Sequence, residues 1–406
     1  MTTTSDSLAT GQRSLGDPSV RYPLWPPLTT GCPATATEHL AYPVEVDYAY
    51  DRVDPALFDR TAPVPAGLDR WAPLLPPLHA PGLGEGRTPL VPIGPGLYVK
   101  DESRNPTWSH KDRLNRVTVS AALGAGAPGI VAASSGNHGA SAAAYAARAG
   151  LPCVVLASAT MPGAVASFLQ SYGAVVLPVE EAARWPLMRR IVERTGFHPV
   201  SNTTVTHTGH GFGPEGYKTV AYEIYLDLGV PDAVFVPTGY GELLFGVWKG
   251  FTELRRLGLT DRLPRIFSCE PATAGPLAAA VRAGRPAARV GTGPTDAYAI
   301  SCEVGGFRGV LALERDADRA LLVDDRQLRA AQGELARQGL WVELSAAAGL
   351  AGFTALEGTG AFDGAAVCVT TSSGFKDRAV GNHPVAPVDA TWSAVEARLA
   401  AAGITV

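Results

Sequence analysis

KDESRNPTWSHKDR, residues Lys100 to Arg113, opens on the last residue of an apolar run (LYVK) and passes through polar residues to a helix-starting NPT. It reaches a lysine, Lys111, near the start of a predicted helix. Loss of water or a helix N-terminus disfavours an ammonium, and the neutral amine it leaves is the form that condenses with a carbonyl. Taken alone, Lys111 also reads as an ordinary surface lysine. Working outward, Gly129 to Ala133 reads as a buried strand, followed by SSGN and an Ala-rich helix through Gly150. Cys153 to Ala157 (strand), Ala164 to Tyr172 (helix) and Ala174 to Pro178 (strand) continue the alternation. A second series starts with the strand AVFVP at Ala233 and the helix around Val247 to Leu257. Ile266 to Cys269 and Val367 to Thr370 add strands, and Asp325 to Gln338 adds a helix. The pattern is that of an α/β chain with parallel sheets under covering helices, and any ligand belongs in the cleft between two such layers.

Three further loops sit where a strand gives way to a helix or turn. SSGNHGAS, Ser134 to Ser141, presents free backbone N–H groups to a carboxylate or phosphate. TGYGELLFG, Thr238 to Gly246, has the Gly-rich form that cradles a phosphate, but matches neither the P-loop nor the full GxGxxG pattern. TTSSGFKD, Thr370 to Asp377, offers hydroxyls to a heteroaromatic ring nitrogen. Each loop taken singly is also an ordinary turn.

At 406 residues the chain exceeds one hydrophobic core, so two domains are expected. Residues 1–84, rich in Pro, aromatic and acidic residues, read as an N-terminal extension that wraps a body. Hydrophobic residues at 46% against 18% charged argue against disorder, and a net charge of −4 gives no footprint for nucleic acid. The five cysteines are scattered, with no CxxC pair. That pattern points away from a metal cluster or disulfide framework and towards a reducing cytoplasm. No signal peptide or membrane-spanning run is expected.

The order and spacing of these segments resemble the fold-type II pyridoxal-phosphate enzymes, and among them the threonine synthases. The family pattern NPTGSFKDR stands here as NPTWSHKDR, SSGNTG as SSGNHG, and TGxGLKD as TSSGFKD. GEGRTPLVP at Gly84, PEGYKTVAYEI at Pro214, VWKGF at Val247 and VELSAAAGLAG at Val342 lie between them in consistent order, over roughly residues 40 to 380. The resemblance implies a two-domain α/β fold, with residues 85–123 and 225–406 forming a large cofactor-binding domain and 124–224 a small inserted one. It implies pyridoxal 5'-phosphate as cofactor, an amino acid as substrate and a homodimer. It also implies roles: Lys111 carries the cofactor as a Schiff base and shuttles the Cα proton, and Asn137 bonds the cofactor's O3′. Ser135, Gly136, Asn137 and His138 hold the substrate carboxylate. Gly239, Tyr240, Gly241, Glu242 and Leu243 cup the phosphate, and Thr371 faces the pyridine nitrogen. A neutral hydroxyl there makes the ring a weaker electron sink, which favours elimination over transamination.

Three positions depart from the pattern. Trp108 stands for Gly beside the lysine, and Glu242 stands for Gly in the phosphate cup, tolerable if its carboxylate turns away. In THTGHGFGPEGYKT, His210 and Gly213 stand for an Asn and for an Arg that grips the substrate phosphate. The expectation is therefore a lyase or synthase performing β- or γ-elimination or replacement with a rewritten distal pocket. A true threonine synthase acting on O-phosphohomoserine, a serine/threonine dehydratase and a non-catalytic cofactor-binding regulator are the alternatives.

Overall fold

The computed structural model describes residues 7–63, 65–377 and 386–405. Three sheets organise the chain. β1 (Ala9–Ser14), β2 (Arg21–Tyr22) and β3 (Val44–Tyr48) form an antiparallel sheet in the order β2-β1-β3. β4 (Leu90–Gly94) and β5 (Leu97–Asp101) lead to a helix, α1 (Lys111–Gly124). Four parallel strands follow: β6 (Ile130–Ala133), β7 (Cys153–Ala157), β8 (Val175–Pro178) and β9 (His198–Pro199), ordered β8-β7-β6-β9. Between them run α2 (Asn137–Arg148), α3 (Gly163–Ser171) and α4 (Glu181–Thr195). The chain then forms α5 (Gly213–Leu228), β10 (Ala233–Pro237), α6 (Glu242–Arg256), β11 (Arg265–Pro271), β12 (Ala320–Val323) and β13 (Ala366–Thr370). The largest sheet is ordered β12-β11-β10-β13-β5-β4, parallel except for the β4–β5 edge pair.

β10 is buried along its whole length, as expected of a central parallel strand that reads as a continuous apolar run. Phe235 stacks on Phe267 of the neighbouring strand at 4.7 Å. α5 lies in the core beneath this large sheet, with Tyr217, Val220 and Tyr222 in one apolar cluster with Val234 and Val367. α5 and α6 approach closely because Gly250 has no Cβ; one would sit 2.4 Å from the Lys218 carbonyl oxygen.

The sheet of the N-terminal extension has no counterpart in the sequence pattern. β1 is largely polar, and its buried Gln12 is held by backbone rather than by apolar contact. Its amide donates to the carbonyls of Pro23, Leu24 and Pro26 and accepts from Leu28 N. Such a strand carries no hydrophobic alternation to read.

Two buried charge networks fix the helices. The Arg113 guanidinium is fully buried and bonds both Glu102 and Glu223, while Lys100 donates to Glu223 at 2.7 Å. In the second, Lys218 and Lys249 share Glu215, and Tyr48 of β3 donates to Glu215 at 3.0 Å. Burial pushes the Glu215 carboxyl up, but the two lysines outweigh it and hold it at about 2.

Candidate active site

Lys111 is the first residue of α1, brought there by the turn from β5 through the NPT segment. The turn is pinned by Asp112. Its carboxylate accepts from Thr107 N (2.7 Å), Thr107 Oγ1 (2.5 Å) and Ser141 Oγ of α2 (2.6 Å), and burial raises its pKa to about 6 against those bonds. Lys111 Nζ donates to the Tyr217 hydroxyl at 3.1 Å. Desolvation lowers the amine's pKa, with Glu242 and Cys302 pulling the other way. A larger share of it is thus neutral at pH 7, as condensation with an aldehyde requires.

His110 does not present a base to the cleft. Its ring stacks on Tyr217 at 5.4 Å, and its backbone N and Nδ1 both lie 3.0 Å from the Thr371 carbonyl oxygen. Nδ1 facing a carbonyl must carry the proton. Burial and neighbouring Lys111 hold the imidazole well below its usual pKa, so it is neutral. The same bonds tie the start of α1 to the end of β13. There Thr371 is buried, and its hydroxyl makes no hydrogen bond among the described residues.

The loop before α6 is built from amides. Gly241 precedes the helix in the left-handed region (φ +84°), and a Cβ on it would meet Gly309 Cα at 3.0 Å. A Cβ on Gly239 would press on Cys302 Sγ at 3.0 Å. Among the described residues, the N–H groups from Gly239 to Leu244 donate to no protein acceptor, which leaves a concave set of donors at a helix N-terminus. The Tyr240 ring stacks on buried His207 at 4.0 Å. The Glu242 carboxylate turns from the cup towards Gly209, the His210 amide and Arg308, whose Nη1 is 3.8 Å away. Its Oε1 is buried without a hydrogen bond, and burial raises its pKa against Arg308 and Lys111.

The α2 N-terminus forms a second donor set. The amides of Ser135, Asn137, His138 and Gly139 have no protein acceptor among the described residues. The Asn137 side chain is clamped: Nδ2 donates to Glu343 Oε2 (2.8 Å), and Oδ1 accepts from Ser372 Oγ (3.1 Å). His138 Nε2 lies 2.9 Å from Ser201 Oγ, and burial with the Lys111 charge brings its pKa to about 3. Lys111 faces Glu242 and His138, His110 bonds Thr371, and Asn137 bonds the neighbouring Ser372, so the four segments lie together.

The departures from the motif also have a geometry. Trp108 keeps a left-handed backbone (φ +62°), the conformation that explains a Gly at this place. Its side chain is 44% exposed and stacks on Phe168 of α3 at 5.4 Å, rather than crowding the lysine. His210 is a neutral cap. Its Nδ1 accepts from Phe212 N (3.0 Å) and Gly213 N (3.2 Å), so its Nε2 proton points to His198 Nε2, 2.7 Å away. The Arg308 guanidinium is taken up by the carbonyls of Thr208, Val44 and His210.

Sequence reasoning missed Tyr217, Glu343, Ser372 and Arg184 as neighbours of the site. Tyr217 and Glu343 lie inside quoted motifs, so the signal was present without an assignment. Arg184 has no local mark at all.

A family model described as pyridoxal-phosphate dependent enzyme matches residues 82–374. The threonine synthase of Methanosarcina acetivorans is 34% identical over 331 residues, which is 76% of this chain and 80% of that protein. The Mycobacterium tuberculosis threonine synthase is 34% identical over 340 residues, 77% of this chain and 86% of its own length. Among solved structures, maize serine racemase superposes with a TM-score of 0.60 at 21% identity, covering 78% of this chain and 94% of the other. A tomato (Solanum lycopersicum) threonine deaminase gives 0.61 at 20%, covering 70% and 79%.

Proposed function

The chain belongs to the pyridoxal-phosphate-dependent enzyme family, and from that membership we propose a threonine synthase-like lyase or synthase whose distal substrate pocket has changed. It eliminates or replaces a group at Cβ or Cγ of an amino acid. The residues suit the cofactor: an amine of lowered pKa, a glycine-lined cup of unpaired amides for a phosphate, and a neutral buried hydroxyl at Thr371. When bound, pyridoxal phosphate supplies the electron sink that acidifies the substrate Cα–H.

The chain's own groups do the rest. Lys111 anchors the cofactor and then, as a free amine, takes the Cα proton, with Tyr217 positioning Nζ. Gly239 to Leu243 would hold the phosphate through backbone N–H, and Asn137, whose orientation is set by Glu343 and Ser372, would bond the cofactor's O3′. The Ser135–His138 loop would take the α-carboxylate, and Thr371 would face the ring nitrogen with a neutral hydroxyl that does not favour a positive charge there. A homodimer acting on a free amino acid in the cytoplasm is part of the same proposal, and sedimentation tests the dimer.

One observation carries the changed pocket. Where the motif places Asn and Arg to grip a phosphate ester, the chain has a neutral capping histidine and a glycine, and the Glu242 carboxylate faces that segment. An anionic ester meets a carboxylate there rather than a guanidinium fork. The 34% identity to threonine synthases favours the second reading, O-phosphohomoserine to threonine. Phosphate release from O-phosphohomoserine by the cofactor-loaded protein, with product identified by mass, separates the two. Threonine formation overturns the changed pocket. No release, from a protein whose lysine-bound cofactor absorbs normally, supports it. Lys111→Ala removes both that absorbance and all turnover; turnover surviving the substitution would leave only a cofactor-binding role for this lysine.

A further inference from the structure

Ser135 Oγ accepts two hydrogen bonds, from Ser158 N at 2.6 Å and from Arg184 Nη1 at 3.2 Å. Both lone pairs are then occupied, so its own O–H is left to donate, and it donates to nothing among the described residues. Beside it stand the unpaired amides of the α2 N-terminus. The donors therefore gather at one point: four N–H groups, one O–H and a guanidinium.

Arg184 reaches this point from the first turn of α4, and its side chain is only 12% exposed. Burial lowers its pKa, and Tyr240 and Cys302 pull it back; Cys302 feels Lys111 as well. The neighbouring Trp185 ring lies 6.3 Å from Tyr240 and 6.5 Å from His207, so this turn of α4 closes on the loop before α6. The charged partner of Arg184 is Glu181, one turn back and 78% exposed, a surface ion pair that yields readily to a buried competitor. Arg308 is held by carbonyls, and the place of the motif's arginine is Gly213.

We infer that Arg184 is a substrate-binding residue that, with the Ser135 hydroxyl, clamps the α-carboxylate received by the Ser135–Gly139 amides. This rests on the amino-acid enzyme proposed above and adds a charged selector to it. An α-amide or ester of the same amino acid loses the ionic partner, and a substrate carboxylate displaces Glu181.

The test titrates the cofactor-loaded wild type, Arg184→Gln and Arg184→Lys with L-serine, L-threonine and L-homoserine and with their α-amides, following cofactor absorbance. A charge-assisted hydrogen bond sets the expected size. Arg184→Gln weakens the free acids about tenfold to a hundredfold and leaves the amides within about twofold. Arg184→Lys recovers part of the loss. In turnover, KM for the acid rises while kcat moves little. If Arg184→Gln keeps the wild-type ratio of acid to amide affinity, the Arg184 assignment is overturned and the enzyme reading stands. If wild type responds to none of the amino acids, the enzyme reading falls and takes the assignment with it.

Discussion

Arg113→Met removes a guanidinium that makes six hydrogen bonds and leaves a side chain of similar length in its place. Nε and Nη2 bond Glu102 (2.7 and 2.8 Å), Nη1 and Nη2 bond Glu223 (both 2.7 Å), and Thr219 and Thr88 take the other two. The loss comes less from the missing attraction than from the two buried carboxylates left behind. Glu223 keeps Lys100 at 2.7 Å, but Glu102 keeps only Thr88 Oγ1 and Asn105 Nδ2. Breaking a buried pair from one side costs about 3–5 kcal/mol, and the upper half of that range is expected here at pH 8. Burial pushes the Glu223 carboxyl up, yet Arg113 and Lys100 outweigh it and hold it far below its usual value. A depressed carboxyl contributes stability above its unfolded pKa and loses it as pH falls through the folded one. In the variant much of that depression is gone, so the gap to wild type holds from pH 8 down to about pH 5 and narrows as pH falls further. Urea midpoints followed by circular dichroism and by tryptophan fluorescence measure it; agreement of the probes checks that a single transition is read. Arg113→Met/Glu102→Gln removes the stranded charge and should recover about 1–2 kcal/mol. A double variant no more stable than the single one, or a single loss below about 1 kcal/mol, refutes the reasoning.

Other perturbations follow from single contacts. Gly216→Ala places a methyl 2.0 Å from the Arg113 carbonyl oxygen, backbone against backbone, and should cost about 3 kcal/mol or prevent folding; an unchanged thermal midpoint would contradict it. Glu270 receives the amides of Leu277 (2.9 Å) and Ala278 (2.7 Å), yet burial lifts its pKa to about 7. Between about pH 4.5 and 7 the native state holds the extra proton, so this group makes stability fall as pH rises. Glu270→Gln should therefore gain on wild type by about 2 kcal/mol from pH 5 to pH 8, and a difference independent of pH would show that the carboxyl titrates normally. Because the Glu242 carboxylate turns from the amide cup, Glu242→Gln should leave cofactor affinity within about twofold in absorbance titrations of the apoprotein, and a severalfold change would place the charge in the cup.

The βαβ alternation was legible because β6, β7, β10 and β13 are short apolar runs closed by glycine or hydroxyl turns. The turns after β6, β10 and β13 each carry a motif at a helix or loop start. Lys111 was legible for the same reason, being one step from a strand end. What escaped was convergence through space. Arg184 and Ser135 meet across 49 positions, and Asn137 meets Glu343 across 206. Neither pair leaves a local pattern. Glu242 shows the limit of motif reading more sharply. The sequence flagged a misplaced charge, but only the fold shows it turned towards Gly209 and Arg308, where it changes a different pocket from the one that raised the question.

The family match begins at residue 82, and a shortened gene starting there would look complete by alignment. It would not encode a self-sufficient core. Lys249 donates to the Val46 carbonyl at 2.8 Å and faces Glu45 at 3.2 Å, the Tyr48 ring covers Lys218 at 3.8 Å, and Arg308 bonds the Val44 carbonyl at 2.6 Å. Cutting the extension away would open a wet face over three cations meant to be dry, one of them bonded to the very carbonyls that shape the distal pocket. Domain-trimming and gene-fusion experiments on this protein should therefore keep the extension through β3 as part of the enzyme, and attach any partner at the other end.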